Sequence, residues 1–238
     1  YWSMIGNPSV TTSWQEYTKT GVISASQEGM NTIAFNLSPN KTATTFYFDD
    51  IYFEKQESGN TIPLTPKEKA DTLTWAMDKW VKGMMQACGG YVKSWDVVNE
   101  AISGGGDDGE GFYVLQSASN GDPLKNFYWQ DYLGSEEYVR KVVGMARKYY
   151  AEFKGNPSDL KLFINDYNLE SDWDDNKKLK SLIHWIQRWE KDGVTKIDGI
   201  GTQMHVSYSA NATSQKSKEE HVVKMFELLA ASRKLVKI

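Results

Sequence analysis

Apolar and polar residues alternate in two different ways along this chain, and the pattern changes close to residue 57. Before that point apolar side chains recur at every second position, as in residues 33–37, and residues 45–54 are rich in aromatic side chains. A period of two is typical of strands, and turn-forming residues separate these runs. The pattern therefore predicts that residues 1–57 form part of a β-sandwich, with residues 58–64 as a linker.

A second pattern, in which helical and strand periods alternate, occupies residues 65–238. Four helices are predicted. The first begins at the capping box of Thr65 and Glu68, the second begins at Ser135, the third contains Leu179, and the fourth begins at the capping box of Ser217 and Glu220. The predicted strands are residues 91–98, 160–165, 197–205 and 235–238. Because strands that alternate with helices pair in parallel through right-handed crossovers, the pattern predicts an α/β fold. Periodicity leaves open whether that fold is a doubly wound sheet or a (β/α)8 barrel.

Composition and charge argue against several kinds of partner. The 238 residues carry a net charge of −4, whereas nucleic acids and anionic membranes favour basic faces. No uninterrupted apolar run reaches the roughly 18 residues of a membrane span, so no membrane-spanning segment is predicted. No glycine-rich phosphate-binding motif follows any predicted strand. A single cysteine, Cys88, rules out an internal disulfide. These features favour a neutral substrate.

A carboxylic acid follows the first predicted strand of the second segment. The residues from Trp95 to Glu100 read Trp-Asp-Val-Val-Asn-Glu, and Ala101 follows. In a (β/α)8 barrel the chemistry lies at the carboxyl ends of the strands. An Asn-Glu pair alone would be an ordinary start of a loop, but the whole heptapeptide resembles the acid/base motif of family 10 glycoside hydrolases, the endo-β-1,4-xylanases. The resemblance implies that residues 65–238 form about strands four to seven of a (β/α)8 barrel.

The resemblance also implies a reaction and two roles. Family 10 enzymes are retaining glycosidases, which need two carboxyl groups about 5–5.5 Å apart, one acting as acid/base and one as nucleophile. Glu100 matches the acid/base. Asn99 matches the residue that hydrogen-bonds the 2-hydroxyl of the sugar being cleaved. The implied substrate is xylan or a xylo-oligosaccharide, and no cofactor is expected.

Residues that follow the next two predicted strands extend the resemblance. Asn165, Asp166 and Tyr167 match the family's strand-five motif, whose Asn, acid and Tyr line the cleft. Gln203 and His205 match strand six, where both reach towards the glycone site and the His contacts the nucleophile. Taken singly, an Asn-Asp-Tyr-Asn run is usually a turn, and a lone His after a strand is more often structural. The spacing of the motifs favours the functional interpretation.

The nucleophile of the family follows strand seven, and residues 234–238 resemble that strand. The sequence ends there, so none of its residues matches the nucleophile. We therefore expect the chain to be a piece of a longer enzyme and to be inactive on xylan by itself. Because polymeric xylan does not enter cells intact, the complete enzyme is expected to act outside the cell, at its surface or in the periplasm.

The first segment resembles the back half of a carbohydrate-binding β-sandwich module, in which Trp14 is expected in the core. Several such modules hold a structural calcium in the strand that matches Asp49 and Asp50, so calcium is a candidate ligand there. A half module directly before a barrel helix resembles the layout of some bacterial family 10 enzymes, in which a module is inserted between strand three of the barrel and its helix.

Acidic residues also cluster at Asp107, Asp108 and Glu110 in a glycine-rich loop. Their spacing fits neither the EF-hand pattern nor a His/Cys zinc site. We therefore predict a mobile loop without a metal ion.

Two other functions remain open on the sequence. An Asn-Glu acid/base after strand four also occurs in other retaining barrel glycosidases, such as cellulases and mannanases. The unmatched nucleophile would equally allow a non-catalytic xylan-binding protein. The Trp-Asp-Val-Val prefix and the Gln-x-His spacing of Gln203 and His205 favour the xylanase.

Overall fold

The computed structural model describes residues 10–20, 42–52, 64–122 and 125–238. The chain divides into two units, Tyr1–Asn60 and Thr61–Ile238. The described residues of the first unit contain neither helix nor strand. The strand predicted over residues 45–54 is therefore wrong for residues 45–52, and its last two residues lie outside the described ranges.

Side-chain exposure agrees with the absence of strands from these described residues, and the alternating residues 33–37 lie outside the described ranges. Trp14 is 72% exposed, which contradicts its predicted place in a core. Tyr47 and Tyr52 are each 77% exposed. A strand is stable only when hydrogen-bonded neighbours and a buried face support it, and the described residues of this unit supply neither. Asp49 and Asp50 are exposed as well, and calcium at this pair stays a prediction.

The second unit consists of helices that alternate with strands. The helices are α1 (Pro66–Cys88), α2 (Gln130–Leu133), α3 (Glu137–Glu152), α4 (Lys177–Trp189) and α5 (Ala212–Ala231). The strands are β1 (Ser94–Asn99), β2 (Lys161–Asp166), β3 (Gly199–Thr202) and β4 (Leu235–Lys237). All neighbouring pairs are parallel, and the order in the sheet is β1-β2-β3-β4. Each crossover moves to the next neighbour in one direction, as in a (β/α)8 barrel, whereas a doubly wound sheet reverses direction. The predicted partial barrel is confirmed.

Capping side chains fix the starts of α1 and α5, whereas α3 begins at Glu137 without a side-chain cap and not at Ser135 as predicted. Thr65 Oγ1 accepts a hydrogen bond from the Glu68 backbone N–H at 3.3 Å, and Glu68 Oε2 accepts one from the Thr65 N–H at 2.8 Å. The predicted capping box of α1 is therefore confirmed. The predicted start of α5 at Ser217 is wrong, because Asn211 Oδ1 already accepts from the Ser214 N–H at 2.9 Å. That earlier cap starts the helix at Ala212.

The two faces of the sheet differ in chemistry. Leu162, Ile164 and Ile200 are completely buried against the helices, in a core that includes Val139, Leu179, Leu182 and Leu229. Phe163 lies on the opposite face, where a Cβ at Gly199 would come within 2.2 Å of the Phe163 ring. Glycine is therefore needed there for the ring to fit. Lys237 pairs with Asp96 on this second face.

Three strands are shorter than predicted, β4 by one residue only. β1 begins at Ser94, because Tyr91 is 88% exposed and precedes the paired region. β3 ends at Thr202 and not at His205. Met204 has a φ of 46°, a left-handed conformation that turns the chain out of the strand. Within the described ranges, no helix has the length and apolarity needed to span a membrane.

Candidate active site

The carboxyl ends of β1, β2 and β3 lie side by side in the sheet, and the predicted site residues follow them. Glu100 is half-buried just beyond β1, next to the exposed Asn99. Asn165 lies near the end of β2, and Gln203 and His205 follow β3. Parallel strands bring residues that are far apart in sequence to one edge of the sheet.

Hydrogen bonds join these side chains into one network. Gln203 Nε2 donates to Glu100 Oε1 at 2.7 Å. Gln203 Oε1 lies 2.9 Å from His205 Nε2, which places the proton of this contact on the imidazole nitrogen. Asn165 Nδ2 donates to Asn99 Oδ1 at 2.7 Å, and Gln203 Nε2 also approaches Asn99 Oδ1 at 3.4 Å. Glu100 and His205 therefore face the same side of the sheet, with Gln203 between them.

The backbone holds Glu100 in an unusual conformation. Its φ is 55°, in the left-handed region that a residue with a Cβ rarely occupies. The Glu100 N–H donates to the Asn165 carbonyl at 2.8 Å, and the Gln116 side chain donates to the Glu100 carbonyl at 3.1 Å. A strained conformation persists only where its surroundings fix it, and these two bonds provide that restraint.

Asp166 does not line the cleft, contrary to what the strand-five motif implied. Its side chain is completely buried and points to the helical side of the sheet, because successive residues of a strand face opposite ways. Burial raises the pKa of its carboxyl group, and the neighbouring Lys178 opposes that rise. Tyr167 is not part of the hydrogen-bonded network. Its ring centre lies 3.4 Å from Lys178 Nζ.

The acidic loop is ordered by its own side chains. Asp108 is only 3% exposed at its side chain, and its Oδ1 accepts hydrogen bonds from the backbone N–H groups of Glu110 and Phe112 at 2.9 and 3.1 Å. His184 Nε2 lies 3.1 Å from Asp108 Oδ2. The prediction of a mobile loop is wrong for Asp108. No group of three or more His, Cys, Asp or Glu residues in the described ranges could hold a metal ion.

Sequence reasoning missed two residues that shape the site. Lys178 is a buried cation in the first turn of α4, and nothing in a sequence distinguishes it from the solvated lysines around it. Gly201 is the other residue. A Cβ at this position would lie 2.5 Å from Asn165 Oδ1, so the glycine provides the space in which Asn165 reaches Asn99.

We expect Gly201→Ala to impair the site while preserving the fold, because the methyl group displaces the end of one side chain rather than backbone. Loss of the bond between Asn165 and Asn99, worth about 0.5–1.5 kcal/mol, should lower kcat/KM of the full-length enzyme by about 3- to 10-fold. Gly144→Ala is the control, since a methyl group at that position of α3 would have no neighbour within 4 Å. That substitution should leave activity unchanged. Unchanged activity in Gly201→Ala would contradict the assigned space.

Comparison with known proteins agrees with this geometry. The family described as glycosyl hydrolase family 10 matches residues 51–234. The chain is 38% identical over 117 residues to endo-1,4-beta-xylanase A of Cellvibrio japonicus (strain Ueda107), a match that covers 49% of this chain and 16% of that protein. It is 29% identical over 131 residues to exoglucanase XynX of Acetivibrio thermocellus, covering 55% of this chain and 10% of that protein.

A solved structure of a GH10 protein from Paenibacillus barcinonensis superimposes with a TM-score of 0.52 at 26% identity. The superposition covers 70% of this chain and 41% of that chain. This chain therefore spans less than half the length of each of these relatives. Because the family match includes most of the chain, with strands β1, β2 and β3 of the sheet, the chain belongs to glycosyl hydrolase family 10.

Proposed function

We propose that the protein carrying this chain is an endo-1,4-β-xylanase that hydrolyses xylan and xylo-oligosaccharides with retention of configuration. The observation that carries the proposal is the bond between Gln203 Nε2 and Glu100 Oε1, with His205 on the other side of Gln203. This places an ionisable carboxyl group and an imidazole at one edge of the barrel sheet in a family 10 chain.

Glu100 serves as the acid/base in this proposal. In the first step its carboxyl proton passes to the departing glycosidic oxygen while a second carboxylate attacks the anomeric carbon. In the second step Glu100, now ionised, takes a proton from water as that water displaces the carboxylate from the sugar. Both steps consist of proton transfer and displacement, so the proposed mechanism requires no cofactor.

The remaining residues bind and orient the substrate. Asn99 would bind the 2-hydroxyl of the sugar being cleaved, and Asn165 holds Asn99 in place. Tyr167 would line the cleft. We assign the second carboxylate to none of these 238 residues. We propose that it lies next to His205, because the His of the matching strand-six motif contacts the nucleophile in this family.

The stereochemistry of the product tests the proposal. Full-length protein is added to xylan, and the anomeric protons of the new reducing ends are followed by NMR during the first minutes, before mutarotation. Retention predicts that the β-anomer forms first. Predominant α-anomer would show inversion and would remove the double-displacement mechanism.

A cellulase is the second candidate, favoured by the match to a protein named exoglucanase. Reducing-sugar release from xylan, cellulose and mannan under one condition decides between the substrates. The xylanase assignment requires the highest kcat/KM on xylan. Binding of xylan without hydrolysis would instead support a non-catalytic xylan-binding protein.

We further propose that residues 1–57 belong to an inserted carbohydrate-binding module and that the enzyme acts outside the cell, at its surface or in the periplasm. Both proposals rest on the sequence resemblance and on the size of the polymer.

A further inference from the structure

A buried ion pair lies directly behind the site. Lys178 Nζ, from the first turn of α4, is 2.8 Å from Asp166 Oδ1, and the two side chains are 2% and 0% exposed. Removing two charges from water costs several kcal/mol per ion, so such a pair is rarely justified by stability alone. The contacts of Asp166 indicate a more specific role.

Asp166 connects the ends of three strands. Its Oδ2 accepts a hydrogen bond from the Ile102 N–H at 3.1 Å, two residues beyond Glu100. Its Oδ1 accepts from the Tyr167 N–H at 2.9 Å, and its backbone carbonyl accepts from the Gln203 N–H at 3.0 Å. One residue therefore contacts the segments that carry the acid/base, its amide partner and the tyrosine of the cleft.

Lys178 completes the arrangement. It neutralises Asp166, and its ammonium group lies over the face of the Tyr167 ring, where a desolvated cation–π contact is favourable. Without the cation, the buried carboxyl group would take up a proton and lose acceptor capacity towards one of its two N–H donors.

We propose that Asp166 and Lys178 are positioning residues for Glu100, a role that rests on the proposed function. Glu100 has a left-handed φ, so the direction of its side chain depends on how the backbone from Glu100 to Ile102 is held. The Asn165 carbonyl fixes the start of that segment, and Asp166 fixes its end. Neither Asp166 nor Lys178 contacts the substrate, because both are buried behind the sheet.

The test uses Asp166→Asn in the full-length protein, with two substrates. Xylan has a poor leaving group that needs protonation, whereas an aryl xyloside with an acidic phenol as leaving group does not. A misplaced acid should lower kcat/KM on xylan by about 10- to 100-fold. The aryl xyloside should lose less than about 3-fold in kcat/KM, since that constant reports the first step alone. Asp175→Asn is the matched control, because Asp175 pairs with Lys180 at an exposed position.

Equal losses on both substrates, or no loss on xylan, would overturn the proposal. If Asp166→Asn does not fold, the double variant Asp166→Asn/Lys178→Met, which lacks the unpaired cation, replaces it in the same assay.

Amide hydrogen exchange gives a readout that is independent of activity. In Asp166→Ala/Lys178→Met, which retains neither an acceptor nor an unpaired cation, the Ile102 amide should exchange at least 10-fold faster than in the wild type, while the Leu162 amide, which Asp198 holds, should not change. If the Ile102 amide exchanges faster in the variant but the wild-type protein does not hydrolyse xylan, the proposed function is refuted and the contact between Asp166 and Ile102 is not. Unchanged exchange at Ile102 would refute the positioning role.

Discussion

Glu100→Gln in the full-length enzyme is expected to lower kcat/KM on xylan by about 10²–10⁴-fold, the contribution of general acid catalysis. The amide cannot protonate the departing oxygen, but its carbonyl can still accept the hydrogen bond from Gln203. The fold should therefore be preserved. An aryl xyloside with an acidic leaving group should lose far less in kcat/KM, because its bond breaks without protonation. Steady-state kinetics on the two substrates measure the difference.

Glu110→Gln is the control for this substitution, since Glu110 is 61% exposed at its side chain in the ordered acidic loop. This substitution makes the same chemical change away from the hydrogen-bonded network of Glu100. It should leave kcat/KM on xylan and on the aryl xyloside within error of the wild-type values. A loss of equal size on xylan and on the aryl xyloside would count against Glu100 as the acid, because an acid acts selectively on poor leaving groups.

Elements with strong local signals were predictable from sequence. The capping box of Thr65 and Glu68 fixes the start of α1 through contacts three residues apart, which sequence displays directly. The alternation of helices and strands, which produces the parallel sheet, was also predictable from the sequence. The motifs after three strands predicted that Asn99, Asn165, Gln203 and His205 lie at one site with Glu100, because the carboxyl ends of parallel strands share one edge.

Features that depend on competition between neighbours were not predictable in the same way. Asn211 and Ser217 are both good N-caps, and the sequence does not show that the earlier one prevails. The end of β3 depends on the left-handed Met204, a conformation that methionine does not favour locally. In the first unit the aromatic run of residues 45–52 is typical of a strand, but no partner strand in the described residues supports it.

The buried side of the site depends on contacts that are distant in sequence. Period two alone assigns Asp166 to the face opposite Asn165, and the motif resemblance obscured that simple consequence. Its partner Lys178 comes from the next helix, and Ile102 comes from the previous strand end. Only the assembled barrel segment brings these groups together, so their pairing had no local signal.

Lys178→Met should destabilise the protein by about 3–5 kcal/mol at pH 7, because it leaves the buried Asp166 carboxylate without its cation. Burial raises the pKa of Asp166, and Lys178 opposes that effect, so the variant should have a pKa further above that of the unfolded chain. An acid with a raised pKa in the folded state costs stability above its unfolded pKa. The loss should therefore shrink as the pH falls from 7 towards about 4, where the carboxyl group is protonated in both states. Urea denaturation at several pH values measures this dependence.

Lys180→Met separates the effect of burial from that of charge. Lys180 lies on the same helix and pairs with Asp175 at the same 2.8 Å, but the two side chains are 34% and 59% exposed. An exposed pair contributes about 0.2–1 kcal/mol, so Lys180→Met should destabilise the protein by no more than that, and its effect should vary little with pH.

Asp166→Asn/Lys178→Met should recover much of the stability lost in Lys178→Met, because the double variant buries no unpaired charge. A Lys178→Met variant as stable as Lys180→Met would show that Asp166 is already protonated in the native state. The ion pair behind Glu100 would then not exist at neutral pH, and the Ile102 amide would be held by a neutral acid.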